Sequence, residues 1–151
     1  MSFWRLAILR RLFLTRDVVN NNDLAKRFID GVLGCKMSEP FTGLVVLEDG
    51  HVLGAVVLNN YEKGLTVDLT VAGYGAFGIR EVRTIARYIF EQLGCQRITA
   101  VIRPDNYKVL YTLVQLGFKQ EGRLRRRYKD CDGLLFGITR EEQRAIRLKN
   151  G

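Results

Sequence analysis

The run Leu65-Thr66-Val67-Asp68-Leu69-Thr70-Val71, followed at once by Gly73-Tyr74-Gly75-Ala76-Phe77-Gly78, decides how this chain folds. The first part is rich in β-branched residues and reads as a strand. The second is a glycine-rich turn that opens a helix. Ile79, Val82, Ile85, Ala86, Ile89, Phe90 and Leu93 recur at helical spacing, with Arg80, Glu81, Arg83, Arg87 and Glu91 opposite, and Gly94 closes the pattern. From Arg97 to Arg103, Ile98, Ala100 and Ile102 alternate with Thr99 and Val101, which predicts a second strand. Strand, helix and strand in this order imply two parallel strands joined by a right-handed crossover. A glycine loop between a strand and a helix can present backbone N–H groups, together with the positive end of the helix dipole, to a phosphate.

Upstream of this unit, Leu44–Glu48 and Val52–Leu58 flank Asp49-Gly50, a pair suited to a type I′ hairpin turn. Asn59 to Gly64 is expected to form a second turn, giving a three-stranded antiparallel meander that ends on the Leu65 strand. Further back, Arg11 to Val19 reads as a first strand. Asn20-Asn21-Asn22-Asp23 offers N-caps for a helix whose apolar face is Leu24, Ala25, Phe28, Ile29, Val32 and Leu33, with Gly34 as its stop. Downstream, Pro104-Asp105-Asn106 turns into a short helix ending at Leu116 and Gly117-Phe118. A strand over Lys119–Lys129, a turn at Asp130-Cys131-Asp132-Gly133 and a strand over Leu134–Ile138 complete the sheet. The charged tail, 140–151, reads as one helical piece.

The 151 residues suit a single domain, with 1–19 as a basic N-terminal segment and first strand. Hydrophobic residues make up 47% and charged residues 26%, and the net charge of +8 favours acidic partners or phosphates. Cys35, Cys95 and Cys131 are odd in number and lack metal-ligand spacing, so neither a disulfide framework nor a metal site is expected, and a reducing, cytoplasmic compartment is. His51 follows the Asp49-Gly50 turn and is expected to be exposed. The apolar N-terminal run Phe3–Leu14 is interrupted by Arg10 and Arg11, too short to span a membrane and poorly formed as a signal peptide. Arg123, Arg125 and Arg127 are expected to share one face of the strand that carries them. That face is either solvated or meets acidic substrate, phosphates or nucleic acid.

Arg103-Pro104-Asp105-Asn106, then Gly117-Phe118 eleven residues after the Asn, then Glu121-Gly122-Arg123-Leu124-Arg125, resembles a signature of the GNAT superfamily of acyl-CoA-dependent N-acetyltransferases. The likeness runs over roughly 20–143 and is greatest in the branch that acetylates ribosomal-protein N-termini and antibiotics. It implies an α/β domain: a mixed, mostly antiparallel sheet with helices on both faces, whose central parallel strands diverge around Leu69 and Val101 to admit acetyl-CoA. By the same resemblance, Leu69, Val71, Gly73, Gly75, Ala76, Phe77, Gly78 and Ile79 line the coenzyme site, with Asn106 near the coenzyme. The family's pyrophosphate loop has Arg or Gln, Gly, and Gly or Ala where this chain has Gly73, Ala76 and Gly78, so its leading cation is absent and Arg80 or Arg83 is the nearest replacement.

The resemblance also implies that a side chain on the strand before the loop acts through water as general base on the incoming amine, and Asp68, the sole carboxylate on that strand, is the candidate. The family's thiolate-protonating Tyr falls on Leu113 and an accompanying Ser/Ala on Val109; Tyr111 and Tyr107 lie close by in sequence, Tyr111 being the candidate acid, and the alternative is that both are core or rim aromatics of the helix. The resemblance thus implies acetyl transfer to an amine whose identity the sequence does not give. The departures at Gly73, Val109 and Leu113 support a second reading, a catalytically weakened binding or structural protein of the same fold. In that reading it assembles with other subunits, for example in a bacteriophage particle.

Overall fold

A computed structural model of the protein describes residues 16–34, 37, 39–73 and 75–146. The described strands are β1 (Arg16–Asn20), β2 (Phe41–Glu48), β3 (His51–Glu62), β4 (Thr66–Ala72), β5 (Arg97–Ile102), β6 (Lys119–Leu124) and β7 (Gly133–Thr139). They form one seven-stranded sheet in the order β1-β2-β3-β4-β5-β7-β6. β4 and β5 pair in parallel and the other neighbours pair antiparallel. The helices are α1 (Asn22–Leu33), α2 (Ile79–Arg87) and α3 (Tyr107–Leu116).

Each face of the sheet follows from strand alternation. Val45, Ala55, Val57 and Ala72 point to one side, where α1 packs Ala25 and Ile29 against them. α1 begins because the Asn21 side chain accepts a hydrogen bond from the Leu24 N–H at 3.1 Å, and it ends at Gly34 in the left-handed conformation. Leu44, Val56, Leu58, Val67, Ile98, Ala100 and Ile102 point to the other side, against Ile85, Ile89 and Phe90 after the glycine loop and Leu113 of α3. Helices therefore cover both faces, as expected. The Asp49-Gly50 hairpin has both residues at positive φ, as a type I′ turn requires.

Several boundaries differ from the sequence reading. Asn60 adopts a positive φ and shifts the β3–β4 register, so β3 bulges and continues to Glu62 instead of turning from Asn59. The helix over Ile79–Leu93 is not uniform: after Arg87 it widens into a π-helical turn, Tyr88–Gln92, in which the Leu93 N–H reaches the Tyr88 carbonyl at 2.9 Å. The Phe90 carbonyl within that turn accepts from Arg140.

β6 stops at Leu124, five residues short of Lys129. Arg126 takes a positive φ there, and Asp132 accepts its backbone N–H at 2.8 Å, closing a turn. The tail forms turns over 140–146 in place of the helix expected for 140–151, and 147–151 lie outside the described residues. So do 11–15 of the expected first strand, the rest of the N-terminal segment, and Cys35.

Candidate functional site

β4 and β5 are paired only from Thr66 with Arg97 to Leu69 with Ala100. β4 runs on to Ala72 beside β3 and β5 to Ile102 beside β7 but no longer pair with each other, so the two strands part immediately after Leu69. This is the divergence expected around Leu69 and Val101. Parting leaves β4 and β5 backbone groups without each other as partners, and such groups need a substitute. On the α2/α3 side the gap opens into a cavity of about 160 Å³, walled by Leu69, Val71, Ile85, Ile98, Val109 and Leu113, with Gly73, Gly75 and Phe77 at its rim. Lys108, Thr112 and Gln143 bring polar atoms to an otherwise apolar lining.

The loop from Gly73 to Gly78 is seated by its own small residues. Gly73 has φ +114°, and a Cβ there would fall 2.5 Å from both the Gly54 Cα and the Leu53 carbonyl of β3. The position that carries a cation in the resembling family is thus held against the sheet backbone, where no side chain fits. Ala76 is fully buried, facing Gly54, whereas Gly75 and Gly78 are exposed. Gly78 is the N-cap of α2, and its carbonyl accepts the first helical bond, from Val82 at 3.0 Å. The exposed part of the loop is therefore backbone at a helix N-terminus, the arrangement that suits a phosphate. Glu81 is buried in the first turn of the same helix, where the dipole favours a carboxylate.

Sequence reasoning missed a cation at this loop. Arg16 of β1 donates from Nη1 to the Gly75 carbonyl at 2.8 Å and from Nε to Glu48 at 3.2 Å. It lies 59 residues from Gly75, and no local pattern links the two positions.

Asp68 lies on the face opposite the cavity, paired across β3 with Asn59 and across β5 with Thr99. Its Oδ2 accepts a hydrogen bond from the Asn60 side chain at 2.8 Å. It sits one residue before the strands part, half-buried, beside Thr99 and the Arg97–Glu121 ion pair. Glu121 holds the Arg97 guanidinium charged, and its own carboxyl lies below the ordinary range because Arg97 donates to it.

Tyr111 does not wall the cavity. It is 69% exposed and lines a neighbouring groove with Gly78, Ile79 and Arg83, while Leu113, at the family's Tyr position, does face the cavity. Asn106 caps α3, accepting from the Val109 N–H at 3.4 Å. Ile79 is 73% exposed at the start of α2.

The basic strand face expected from Arg123, Arg125 and Arg127 does not form, because β6 ends between the first two. Arg123 pairs with Asp132 at 3.3 Å, and the Arg127 guanidinium stacks 5.2 Å from the Tyr128 ring centre. Cys95 is buried, and burial raises its thiol pKa, as it does that of Cys131. No metal-ligating cluster is found among the described residues. None of the described helices is long and apolar enough to cross a membrane.

No protein-family model and no curated protein matches the chain. Solved structures do match. The dodecameric spermidine N-acetyltransferase from Vibrio cholerae superposes with a TM-score of 0.66 at 14% identity, covering 83% of this chain and 94% of that one. The ribosomal-protein-S5-alanine acetyltransferase from Vibrio fischeri gives 0.63 at 14% identity, over 85% and 94% of the two chains. RimJ from Mycobacterium smegmatis, solved in complex with CoA-disulfide, gives 0.57 at 26% identity, over 70% of this chain and 56% of that one. The chain has the GNAT N-acetyltransferase fold.

Proposed function

We propose that the protein transfers an acetyl group from acetyl-CoA to an amine. The observation that carries this reading is the parting of β4 from β5 beside an apolar cavity rimmed by an exposed glycine loop. The residues fit the coenzyme part by part. The edge of β4 that faced β5, unpaired beyond Leu69 and including Val71, suits the amides of the pantetheine arm, and the apolar walls suit its methylenes. The exposed Gly75 and Gly78 backbone, at the positive end of α2, suits the pyrophosphate. Gly73, Ala76 and Phe77 shape the loop, and Asn106 caps α3 three residues before Val109 of the cavity wall.

Bound there, acetyl-CoA supplies an activated thioester carbonyl: the amine nitrogen forms the new C–N bond and the C–S bond breaks. Asp68 accepts the proton that the attacking amine loses, directly or through a water, from the face opposite the coenzyme. Asn60 orients the Asp68 carboxylate for this role. Placing base and coenzyme on opposite sides of the gap lets the two substrates approach without competing for space. Tyr111, outside the cavity, is reassigned to holding the coenzyme, and the departing sulfur takes its proton from water.

The test is release of free CoA in the presence of acetyl-CoA and amines, with spermidine and alanine-initiated peptides as the first acceptors. Asp68→Asn should lower kcat by about 10²- to 10⁴-fold with little change in acetyl-CoA affinity. Tyr111→Phe should leave kcat within a few-fold. An unaltered rate in Asp68→Asn removes that residue from the chemistry, and a large kcat loss in Tyr111→Phe restores it as the acid.

A further inference from the structure

The parting of β4 leaves β5 with backbone groups that no strand meets. In a strand, the N–H and C=O of successive residues turn to opposite neighbours. The Arg97 N–H donates toward β4, to the Leu65 carbonyl at 3.0 Å, whereas the Gln96 carbonyl accepts from Arg140, just past β7, at 2.8 Å. Arg97, Thr99 and Val101 therefore face β4. Val101 is the first of these beyond the last β4–β5 pair, Leu69 with Ala100, so its carbonyl points into the gap.

One side chain answers that carbonyl. Tyr128, half-buried in the turn between β6 and β7, donates from Oη to the Val101 carbonyl at 3.3 Å. The turn reaches the gap over the face of the sheet that carries Asp68. The Val101 side chain shares that face with Thr99 and Asp68, since Ala100 and Ile102 point to the α2/α3 side. A Cβ on Gly133 would lie 2.6 Å from Val101 Cγ1 and 2.9 Å from Arg127 Cγ, which puts the stem of Arg127 on the same side. Tyr128 is not among the residues that wall the coenzyme cavity. Its ring is held in place by Arg103 and Arg127, each 5.2 Å from the ring centre, with Arg103 itself fixed by Asp105 and Asp130. The Tyr128 N–H donates to the Cys131 carbonyl at 2.9 Å and closes the turn beneath it.

We propose that Tyr128 positions the acceptor amine from the β5 side of the gap while Asp68 serves it from the β4 side, and that the pair selects primary amines. The assignment rests on the acetyl-transfer reading given above and adds a substrate class to it. Asp68 stands opposite Thr99, and Val101 is two residues farther along β5, about 6.6 Å in strand rise, a span that admits one amine nitrogen and a water. A hydroxyl has one proton and two acceptor sites, and giving the proton to Val101 directs Tyr128 Oη to act as an acceptor. A neutral primary amine carries two N–H groups. As the C–N bond forms and the C–S bond breaks, one proton leaves to Asp68. The other stays on the product amide nitrogen and donates to Tyr128 Oη throughout, which aims the nitrogen lone pair at the thioester carbon. An N-methyl amine lacks that second N–H and loses the contact.

The experiment compares butylamine with N-methylbutylamine, two amines of nearly equal basicity, as acceptors in excess acetyl-CoA for the full chain and for Tyr128→Phe. The wild type should show a kcat/KM about tenfold higher for butylamine, the worth of one hydrogen bond. Tyr128→Phe keeps the ring between its arginines, so its melting temperature and acetyl-CoA Kd should match the wild type. Its butylamine rate should fall to the N-methylbutylamine rate, which itself stays unchanged. Equal rates for the two amines in the wild type overturn the proposal while leaving acetyl transfer intact. So does a Tyr128→Phe variant that keeps the preference, which would make the selection steric, or one that loses both amines alike. Transfer to neither amine by the wild type overturns the acetyl-transfer reading itself, and this assignment with it.

Discussion

Arginines crowd two regions of this protein, the turn after β6 and the groove between α2 and α3, and the two are built in opposite ways. Around the turn, the guanidiniums of Arg103, Arg123 and Arg127 meet carboxylates or an aromatic ring. Arg103 donates to both Asp105 and Asp130, Arg123 pairs with Asp132, and Arg103 and Arg127 each stack 5.2 Å from the Tyr128 ring centre. Arg103 holds the Asp105 and Asp130 carboxyls below the ordinary range, and the Arg126 N–H followed by Arg123 does so for Asp132. In the groove, Arg83, Arg87 and Arg144 face apolar and amide side chains with no acid in the lining. Charge density along the sequence is higher in the first region, but uncompensated charge in a concave site is found in the second. A cation neutralised at home organises a turn, and one left without a carboxylate can recruit an anion.

The sharpest way to break the contrast is to give the groove an acid. Gln115 lines it beside Arg83 and Arg144, and Gln115→Glu should weaken acetyl-CoA binding about fivefold, the effect of roughly 1 kcal/mol from one exposed charge. The loss should shrink in high salt, and an unchanged Kd would mean that the arginines do not meet the ligand. Next in size, Arg103→Ala should lower the melting temperature modestly, because Asp105 and Asp130 lose their shared partner, while acetyl-CoA affinity stays at the wild-type value. A parallel drop in affinity would show the two regions to be coupled.

The smallest effect concerns Glu142, one residue before Gln143 of the groove lining. Lys119 and the Thr139 hydroxyl and N–H hold the Glu142 carboxyl at about 2, down from 4.5. The unfolded chain therefore binds more protons at this residue between those values, so its contribution is full above about 4.5 and is lost as pH falls toward about 2. Glu142→Gln should flatten the acid limb of the stability curve, read as melting temperature against pH, and an identical limb in the variant would remove Glu142 from it.

The parts of the fold legible in the sequence were those set by local periodicity and turn chemistry. The stripe from Ile79 to Phe90, the alternation of Ile98, Ala100 and Ile102, and Asp49-Gly50 each specify their element without help from distant residues. Boundaries set by tertiary partners were not legible. β6 ends where Asp132 captures the Arg126 N–H, and the helix after the loop widens where Arg140, fifty residues away in sequence, takes the Phe90 carbonyl. The same division holds at the site. The glycine loop and the Leu69 divergence follow from one continuous stretch, whereas Arg16 on the Gly75 carbonyl and Arg144 beside Arg83 come from the two ends of the described chain. Gly73 shows the limit from another side. A family comparison marks it as a lost cation, and only the packing on Gly54 and Leu53 explains why a glycine stands there.

Acetyl-CoA titration by calorimetry, on the wild type and on Gly78→Trp, bears most directly on the coenzyme site. Gly78 has φ −77°, which any residue adopts, and a Cβ there meets only the flexible end of Glu81, so the variant should fold while its indole fills the rim of the groove. Saturable binding by the wild type that Gly78→Trp loses at an unchanged melting temperature is the predicted result. No binding by the wild type at millimolar acetyl-CoA, or equal binding by the variant, would contradict it.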